Sequence, residues 1–288
     1  MRLVMGFGVA ALAAGIALTG CQVQTDLYPA PPPCEGPLCG NSPSGGGGIV
    51  PKPDGGSGAG GTGGTGSSSS STGGNVGINQ IGTVTRLVSP SFDDTTTQVL
   101  SAAATIFGSP NGGNSYSTPY DVATGKFTLT NVPSGPTWFL VQDESSGAAD
   151  ILSTISFATL PVLGNFSLPV IDRGTMQTIA LSLPTVAAQG ISSLAAQVIL
   201  VISHANAPYK GVKVTGGAGG AKIAYDNGAG YTDSTTAATG TRGTVILFNA
   251  GLSSPSIITV TDTATQNEYD FPVQTAPGTV TIAGFEIQ

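Results

Sequence analysis

The chain has 288 residues, of which 9% are charged, and a formal net charge of −7. An average soluble protein carries roughly 25% charged residues, and here Gly, Thr, Ser and Ala take their place, which is typical of exported β-rich proteins. The nine Lys and Arg residues are scattered along the chain. Phosphate binding needs them clustered, so nucleic acid is excluded as a partner.

The first 20 residues have the layout of a secretory signal peptide. Arg2 gives a positive start, an uncharged apolar run covers residues 3–18, and the small residues Thr19 and Gly20 follow. The run is about 16 residues long, short of the ~20 that a helix needs to cross a bilayer. We therefore predict that residues 1–20 are removed and not retained as a membrane span.

Residues 18–21 read Leu-Thr-Gly-Cys, which resembles the lipobox of bacterial lipoproteins. The resemblance implies that Cys21 receives a diacylglyceryl group, becomes the new N-terminus and is acylated there as well. Two or three acyl chains hold a protein durably on a membrane, whereas one does so only marginally. In outer-membrane lipoproteins the residue after the cysteine is typically not Asp. Here it is Gln22, so the resemblance favours the outer membrane. An ordinary signal peptide followed by a chance cysteine is the alternative.

Residues 21–77 have no hydrophobic period and are rich first in Pro and then in Gly, Ser and Thr. Such a composition cannot bury enough apolar area to fold, so we predict a disordered linker. Cys34 and Cys39 lie within it, and the exported location favours a disulfide between them. Two free thiols or a metal site are the alternatives, although the single histidine of the chain is far away.

After residue 77 the pattern changes to short alternating segments separated by Gly, Pro, Asn and Asp, which is typical of β-sandwiches. We predict an all-β fold of two tandem Greek-key sandwich domains, 78–183 and 184–288, with a boundary near Pro184. Predicted strands in the first domain cover residues 82–88, 102–107, 126–131, 137–142, 165–171 and 177–183.

The second domain repeats the first. Three segments of the first domain have similar counterparts in the second. Residues 102–108 correspond to 210–216, residues 124–132 to 239–250, and residues 138–143 to 257–262. We interpret these similarities as a duplication, and turns common to any two hairpin-rich domains are the alternative.

Residues 125–129 read Gly-Lys-Phe-Thr-Leu, and residues 131–135 read Asn-Val-Pro-Ser-Gly. With the Gly-Val-Lys-Val-Thr strand at 211–215, they resemble the carboxypeptidase regulatory-like, or transthyretin-like, β-sandwich modules. The resemblance implies a seven-stranded Greek-key sandwich without catalytic activity. The second copy departs from the motif, since residues 249–251 read Asn-Ala-Gly without the proline.

A catalytic group is hard to assemble from this sequence. His204 is the only imidazole, no Gly-x-Ser-x-Gly motif exists, and the glycines of 216–220 before Lys222 lack the phosphate-loop spacing. The acidic pairs at 93–94, 143–144 and 226–227 form no dense set of oxygen ligands, so we expect solvated turn residues. We predict neither a metal site nor a cofactor.

Tyr116 and Tyr120 lie in the predicted polar loop 111–120, where we expect exposed rings that contact a ligand. Trp138 is expected in the core. We therefore expect a non-catalytic protein, anchored to the membrane by lipid, whose sandwich modules bind an envelope or extracellular protein or a glycan. An accessory subunit of an envelope enzyme or transporter complex is the alternative, and a hydrolase is a more distant one.

Overall fold

The computed structural model describes residues 77–89, 98–110, 114–144, 151–164, 166–251 and 256–287. These residues form mostly strands, so the predicted all-β fold class is confirmed. The predicted signal peptide and linker, with Cys21, Cys34 and Cys39, lie outside the described residues, apart from residue 77.

The first half of the chain, residues 78–183, is mostly strand. The predicted strands at 82–88, 102–107, 126–131, 137–142 and 165–171 are confirmed in place by β1, β3, β5, β6 and β9. The elements are β1 (Ile78–Leu87), β2 (Gln98–Val99), β3 (Ala104–Pro110), β4 (Tyr116–Pro119), β5 (Lys126–Val132), β6 (Gly135–Asp143), β7 (Ile151–Leu152), β8 (Thr154–Leu160), β9 (Ser167–Asp172) and helix α1 (Arg173–Ser182).

The second half, from residue 184 onward, begins with one helical turn and continues in strands. Its elements are α2 (Pro184–Ala187), β10 (Ala196–His204), β11 (Ala207–Pro208), β12 (Val212–Gly216), β13 (Lys222–Asp226), β14 (Tyr231–Thr232), β15 (Thr244–Ala250), β16 (Ser256–Asp262), β17 (Glu268–Val273) and β18 (Val280–Glu286).

The predicted strand at 177–183 is wrong, because these residues belong to helix α1 and the residue that ends it. The Asp172 side chain caps the helix by accepting a hydrogen bond from the Thr175 amide at 3.0 Å. Met176, Ile179 and Ala180 are buried, and this spacing of three and four residues places them on one helix face. Residues 177–183 resemble a strand because Leu181, which is 74% exposed, stands between the buried Ile179 and Leu183 and creates an apolar alternation.

The strands of the described residues form three sheets. Sheet A joins β2, β1, β9 and β7, with β5 also paired to β1, and sheet C joins β12, β16 and β17. A ten-stranded sheet, here called the shared sheet, runs in the order β14, β13, β15, β10, β18, β8, β6, β3, β4, with β11 paired to β10. Its two parts meet where β18 runs parallel to β8 and pairs Val280 with Thr154 and Thr281 with Ile155. The shared sheet thus connects the two halves of the chain. The division into two domains near Pro184 stays a prediction.

The two halves repeat the same strand pairing. In the first, β1 pairs antiparallel with β5 and parallel with β9, and in the second, β10 pairs in the same way with β15 and β18. Each antiparallel pair contains a bulge next to an asparagine in the left-handed region, Asn131 or Asn249, both at φ 56°. The amide of each asparagine is held by a side-chain oxygen, from Asn79 at 3.2 Å and from Gln197 at 2.8 Å. This shared irregularity supports the interpretation of a duplication.

We expect the Asn131→Ala variant to lose about 1–2 kcal/mol of free energy of unfolding, because alanine is strained in the left-handed region. The Asn131→Gly variant should lose much less, since glycine adopts positive φ without strain. Urea unfolding of the two variants beside the wild type measures the difference. Equal losses in both variants would contradict a backbone origin of the effect.

The shared sheet is covered on one face by sheet A and the helices. Val141, Thr154 and Val280 are directly paired across three strands and therefore share this face. Val141 belongs to the core between sheet A and the shared sheet. Val280 packs with Met176 of α1 in the cluster beneath the helices.

The opposite face of the shared sheet is covered by sheet C in the second half. Ile155, Thr281 and Val198 form the next row across the sheet, and Val198 lies in the core against sheet C. In the first half this face carries Trp138, which is half-buried and packs edge-on against Phe157 with ring centroids 5.0 Å apart. The expectation of a core position for Trp138 is thus met only in part.

The strand that follows β3 or β12 differs between the halves. In the first half β4 pairs with β3 and stays in the same sheet. In the second half the chain leaves sheet C after β12, and the next strand, β13, pairs with β15 of the shared sheet. Gly217 allows this crossing, because its φ is +75° and an added Cβ would lie 1.8 Å from the Ile257 carbonyl oxygen. As a result, β15 has β13 on its outer edge, and β5, its counterpart, has no equivalent strand among the described residues.

A candidate binding groove at the edge of the first half

A groove lies where β4 and β5, which belong to different sheets, approach each other at the edge of the first half. The chain turns from one sheet to the other through residues 120–125. We call this groove the edge groove, and it is lined by Ile81, Thr118, Pro119, Asp121, Thr124, Lys126, Phe127 and Thr128.

One end of the edge groove is closed by the turn at Asp121. The Asp121 amide donates to the Lys126 carbonyl at 2.9 Å, and its side chain accepts from the Thr124 hydroxyl at 2.7 Å and the Ala123 amide at 2.9 Å. These hydrogen bonds, the Thr124 hydroxyl foremost, hold the pKa of the Asp121 carboxyl below its ordinary value. An exposed carboxylate and the exposed Lys126 therefore stand together at this end.

Apolar side chains are exposed beside these polar groups. Ile81 is 58% exposed and Val122 is 43% exposed, and Pro119 is exposed as well. Single exposed apolar residues are ordinary, but two large ones beside a groove and a sheet edge form a surface suited to a partner.

The outer edge of β5 has no partner strand among the described residues. Because the Lys126 carbonyl points outward to Asp121, the alternation of a strand turns the amide and carbonyl of Thr128 outward as well. Among the described residues, β5 pairs only with β1 apart from the single bridge between Lys126 and Asp121. Thr128 and Thr130 are exposed, while Phe127 and Leu129 face the core.

The structure separates the two tyrosines predicted to contact a ligand. Residues 116–119 form the strand β4, so the predicted loop over 111–120 is wrong there. Tyr116 is half-buried against the first-half core, and it lies on the same side of β4 as the groove residue Thr118. Tyr120 is 5% exposed, and its hydroxyl donates to the Leu100 carbonyl at 3.0 Å. Burial raises the pKa of the Tyr120 hydroxyl. The expectation that Tyr120 is exposed is therefore wrong, because it faces inward at the corner between the sheets.

His204 ends β10 as an exposed residue at a turn. Its Nδ1 lies 2.8 Å from the Ile287 carbonyl oxygen, and its ring lies 5.5 Å from that of Tyr209. Neither contact pairs the imidazole, as a base, with a nucleophile. Across the parts of the chain that the structure describes, no three His, Cys, Asp or Glu side chains cluster as a metal site would require.

The expectation that Asp226 is a solvated turn residue is wrong. It is 1% exposed, and its carboxyl oxygens accept hydrogen bonds from the amides of Gly240, Arg242 and Thr244 at 2.9, 3.1 and 2.9 Å. A single side chain thus satisfies two amides of the loop that precedes β15 and the amide of Thr244, which begins β15. Periodicity and composition do not predict this role, because it depends on a loop that is distant in sequence.

The predicted anchor residue Cys21 and the cysteines Cys34 and Cys39 are not among the described residues, so their assignments stay predictions. Within the described segments from residue 77 onward, neither helix has the length and hydropathy needed to cross a membrane.

No protein-family model matches this chain. No curated protein matches it either. Among solved structures, it is similar to a streptococcal ancillary pilin, with 8% identity over 73% of this chain and 68% of the pilin and a TM-score of 0.22. It is also similar to a Bacteroides ovatus protein assigned as an adhesin, with 9% identity over 73% of this chain and 88% of that protein and a TM-score of 0.22. Superpositions this loose carry no argument about function.

Proposed function

We propose that this protein is a non-catalytic lipoprotein of the outer membrane, whose β-rich halves bind another component of the envelope or the extracellular space. The observation that carries the proposal is the sequence Leu-Thr-Gly-Cys at 18–21 after an apolar run. It supports attachment through Cys21 by acyl chains, followed by a linker over residues 21–77 that separates the β-rich part from the membrane surface. The linker residues from 40 to 77 would span roughly 35 Å as a flexible coil.

The chemistry of the described residues supports a binding role over a catalytic one. His204, the single imidazole, contacts a carbonyl and a tyrosine ring, which is not the pairing of base and nucleophile that acyl transfer needs. The edge groove instead combines exposed apolar side chains with a strand edge that no other described strand pairs, which is typical of surfaces that bind by contact alone.

In-cell crosslinking tests this proposal. We expect a photoreactive amino acid at position 122, beside the edge groove, to give a specific envelope adduct that is absent when the same group stands at Ile257. Ile257 is 57% exposed and lies in sheet C, away from the groove, which makes it a matched control. A stoichiometric inner-envelope enzyme or transporter as the adduct would favour an accessory subunit. Hydrolase activity of the purified protein that is lost in the His204→Ala variant would contradict a non-catalytic role.

A further inference from the structure

The two halves differ at the outer edges of the corresponding strands β5 and β15. The pairings of Thr83 with Lys126 and of Val201 with Thr244 show that Thr244 of β15 corresponds to Lys126 of β5. In the second half, β13 fills the outer edge of β15 in antiparallel pairing. In the first half, the chain instead places β4 on β3, and the corresponding edge stays open among the described residues.

We propose that the open edge of β5 binds an extended peptide strand of a partner protein, which pairs antiparallel with residues 127–130. This inference rests on the proposed binding function and names the kind of partner. Backbone hydrogen bonds to the outward groups of Thr128 would supply affinity, and alternate side chains would supply specificity, as in other strand additions to sheet edges.

The strand β13 shows which side chains such a peptide needs. Ile223 pairs with Leu247 and Tyr225 pairs with Val245, and both members of each pair face the second-half core. The equivalents of Leu247 and Val245 in β5 are Leu129 and Phe127, which face the first-half core. A partner strand therefore needs apolar residues at two alternate positions, directed towards β4.

The edge groove provides room for these apolar side chains. Thr118 and Pro119 of β4 form one wall, and Phe127 and Thr128 of β5 form the other. The opposite, outward side chains of the partner strand would lie beside Thr128 and Thr130, both exposed, so polar residues suit those positions. The partner is thus a segment with alternating apolar and polar residues and not a helix or a small molecule.

One exposed edge of the second half is already protected. β17 is an edge strand of sheet C, and it carries Pro272, which has no amide to donate, together with the outward charges of Glu268 and Asp270. Such features prevent strand addition at exposed edges. β5 has Lys126 at one end but no proline or other charge from Phe127 to Val132, which leaves that part of its edge open to a partner.

A synthetic peptide with the sequence of residues 219–228 is the probe, because it contains the strand that fills the equivalent edge. We expect it to bind the full-length protein in detergent and to slow hydrogen exchange at the amides of Thr128 and Thr130. A control peptide of the same composition, with the isoleucine and tyrosine adjacent, should bind about tenfold more weakly or worse, because alternation is lost.

Two variants of Thr128 test the role of the backbone. Thr128→Pro removes the outward amide without removing a bond to β1, so it should fold and bind the peptide about tenfold more weakly or worse. Thr128→Val keeps the amide and should bind as the wild type does. If the proline variant does not fold, the exchange of the wild-type amides decides the question.

Three results would overturn the inference. These are equal binding by a folded Thr128→Pro variant, unchanged exchange at Thr128 with bound peptide, and a Thr128 amide already protected in a free protein that sediments as a dimer. The last result would assign the edge to a second copy of this chain. Because none of them affects membrane attachment through Cys21, failure of this inference is distinguishable from failure of the proposed function.

Discussion

Replacing Asp226 by alanine is expected to lower the free energy of unfolding by about 3–5 kcal/mol, because one buried and two partly buried amides lose their acceptor at once. The carboxyl group of Asp226 is 1% exposed and accepts from Gly240, Arg242 and Thr244 at distances of 2.9 to 3.1 Å. Space around it is tight, since a Cβ at Gly240 would lie 2.6 Å from its Oδ1. Urea unfolding of the full chain, followed by circular dichroism, measures the loss.

Asp121→Ala is the matched control, because Asp121 also accepts hydrogen bonds from a nearby turn but is exposed. Water replaces the lost acceptor there, so the loss of stability should be clearly smaller. Asp226→Asn keeps one carbonyl oxygen and should fall between the alanine variant and the wild type. If Asp226→Ala is as stable as Asp121→Ala, the loop before β15 does not depend on this carboxyl group.

Replacing Cys21 by alanine is expected to move the protein from the membrane fraction to the soluble fraction almost completely. Each buried methylene of an acyl chain contributes about 0.8 kcal/mol to membrane binding, and two or three chains hold the protein durably. Cell fractionation followed by immunoblotting measures the distribution.

The Cys34→Ala and Cys39→Ala variants are controls for the loss of a cysteine as such. Both lie in the predicted linker, and both should leave the protein in the membrane fraction. A Cys21→Ala protein that stays with the membrane to the same extent as these controls would show that another segment provides the attachment.

Local patterns predicted most strands of the first half. Residues 126–130 alternate Lys, Phe, Thr, Leu and Thr, and β5 indeed buries Phe127 and Leu129 while exposing the residues between them. Residues 138–141 read Trp-Phe-Leu-Val and are thus apolar on both faces of the predicted strand at 137–142. This strand is β6, which lies between β3 and β8 with Phe139 and Leu140 both buried. These predictions succeed because successive side chains of a strand point to opposite faces, so the burial of each face can be read from every second residue.

Helix α1 was missed because ten residues give too few turns for its period to stand out. Ile179, Leu181 and Leu183 alternate as in a strand, but Leu181 is 74% exposed in the structure. The deciding signals were the Asp172 cap and the buried Met176, which lie before the predicted segment. A search for helix caps around the proposed domain boundary could have found them.

The candidate site could be predicted from sequence only in small part. Tyr116 lies on β4 beside the edge groove, and its contact with a ligand stays a prediction, whereas the expected exposure of Tyr120 is wrong because Tyr120 is buried. The edge groove depends on which sheet receives the strand after β3, and that choice reflects long-range pairing. The glycines near 217 mark the crossing in the second half, but only the structure relates them to the open edge of β5.

An intact mass spectrum of the protein purified from its native membrane tests the lipid-anchored account most directly. We predict a mature chain that begins at Cys21 and carries a mass increment equal to a diacylglyceryl group plus an amide-linked acyl chain. A spectrum that shows residues 1–20 still attached, with an unmodified thiol at Cys21, would contradict the account.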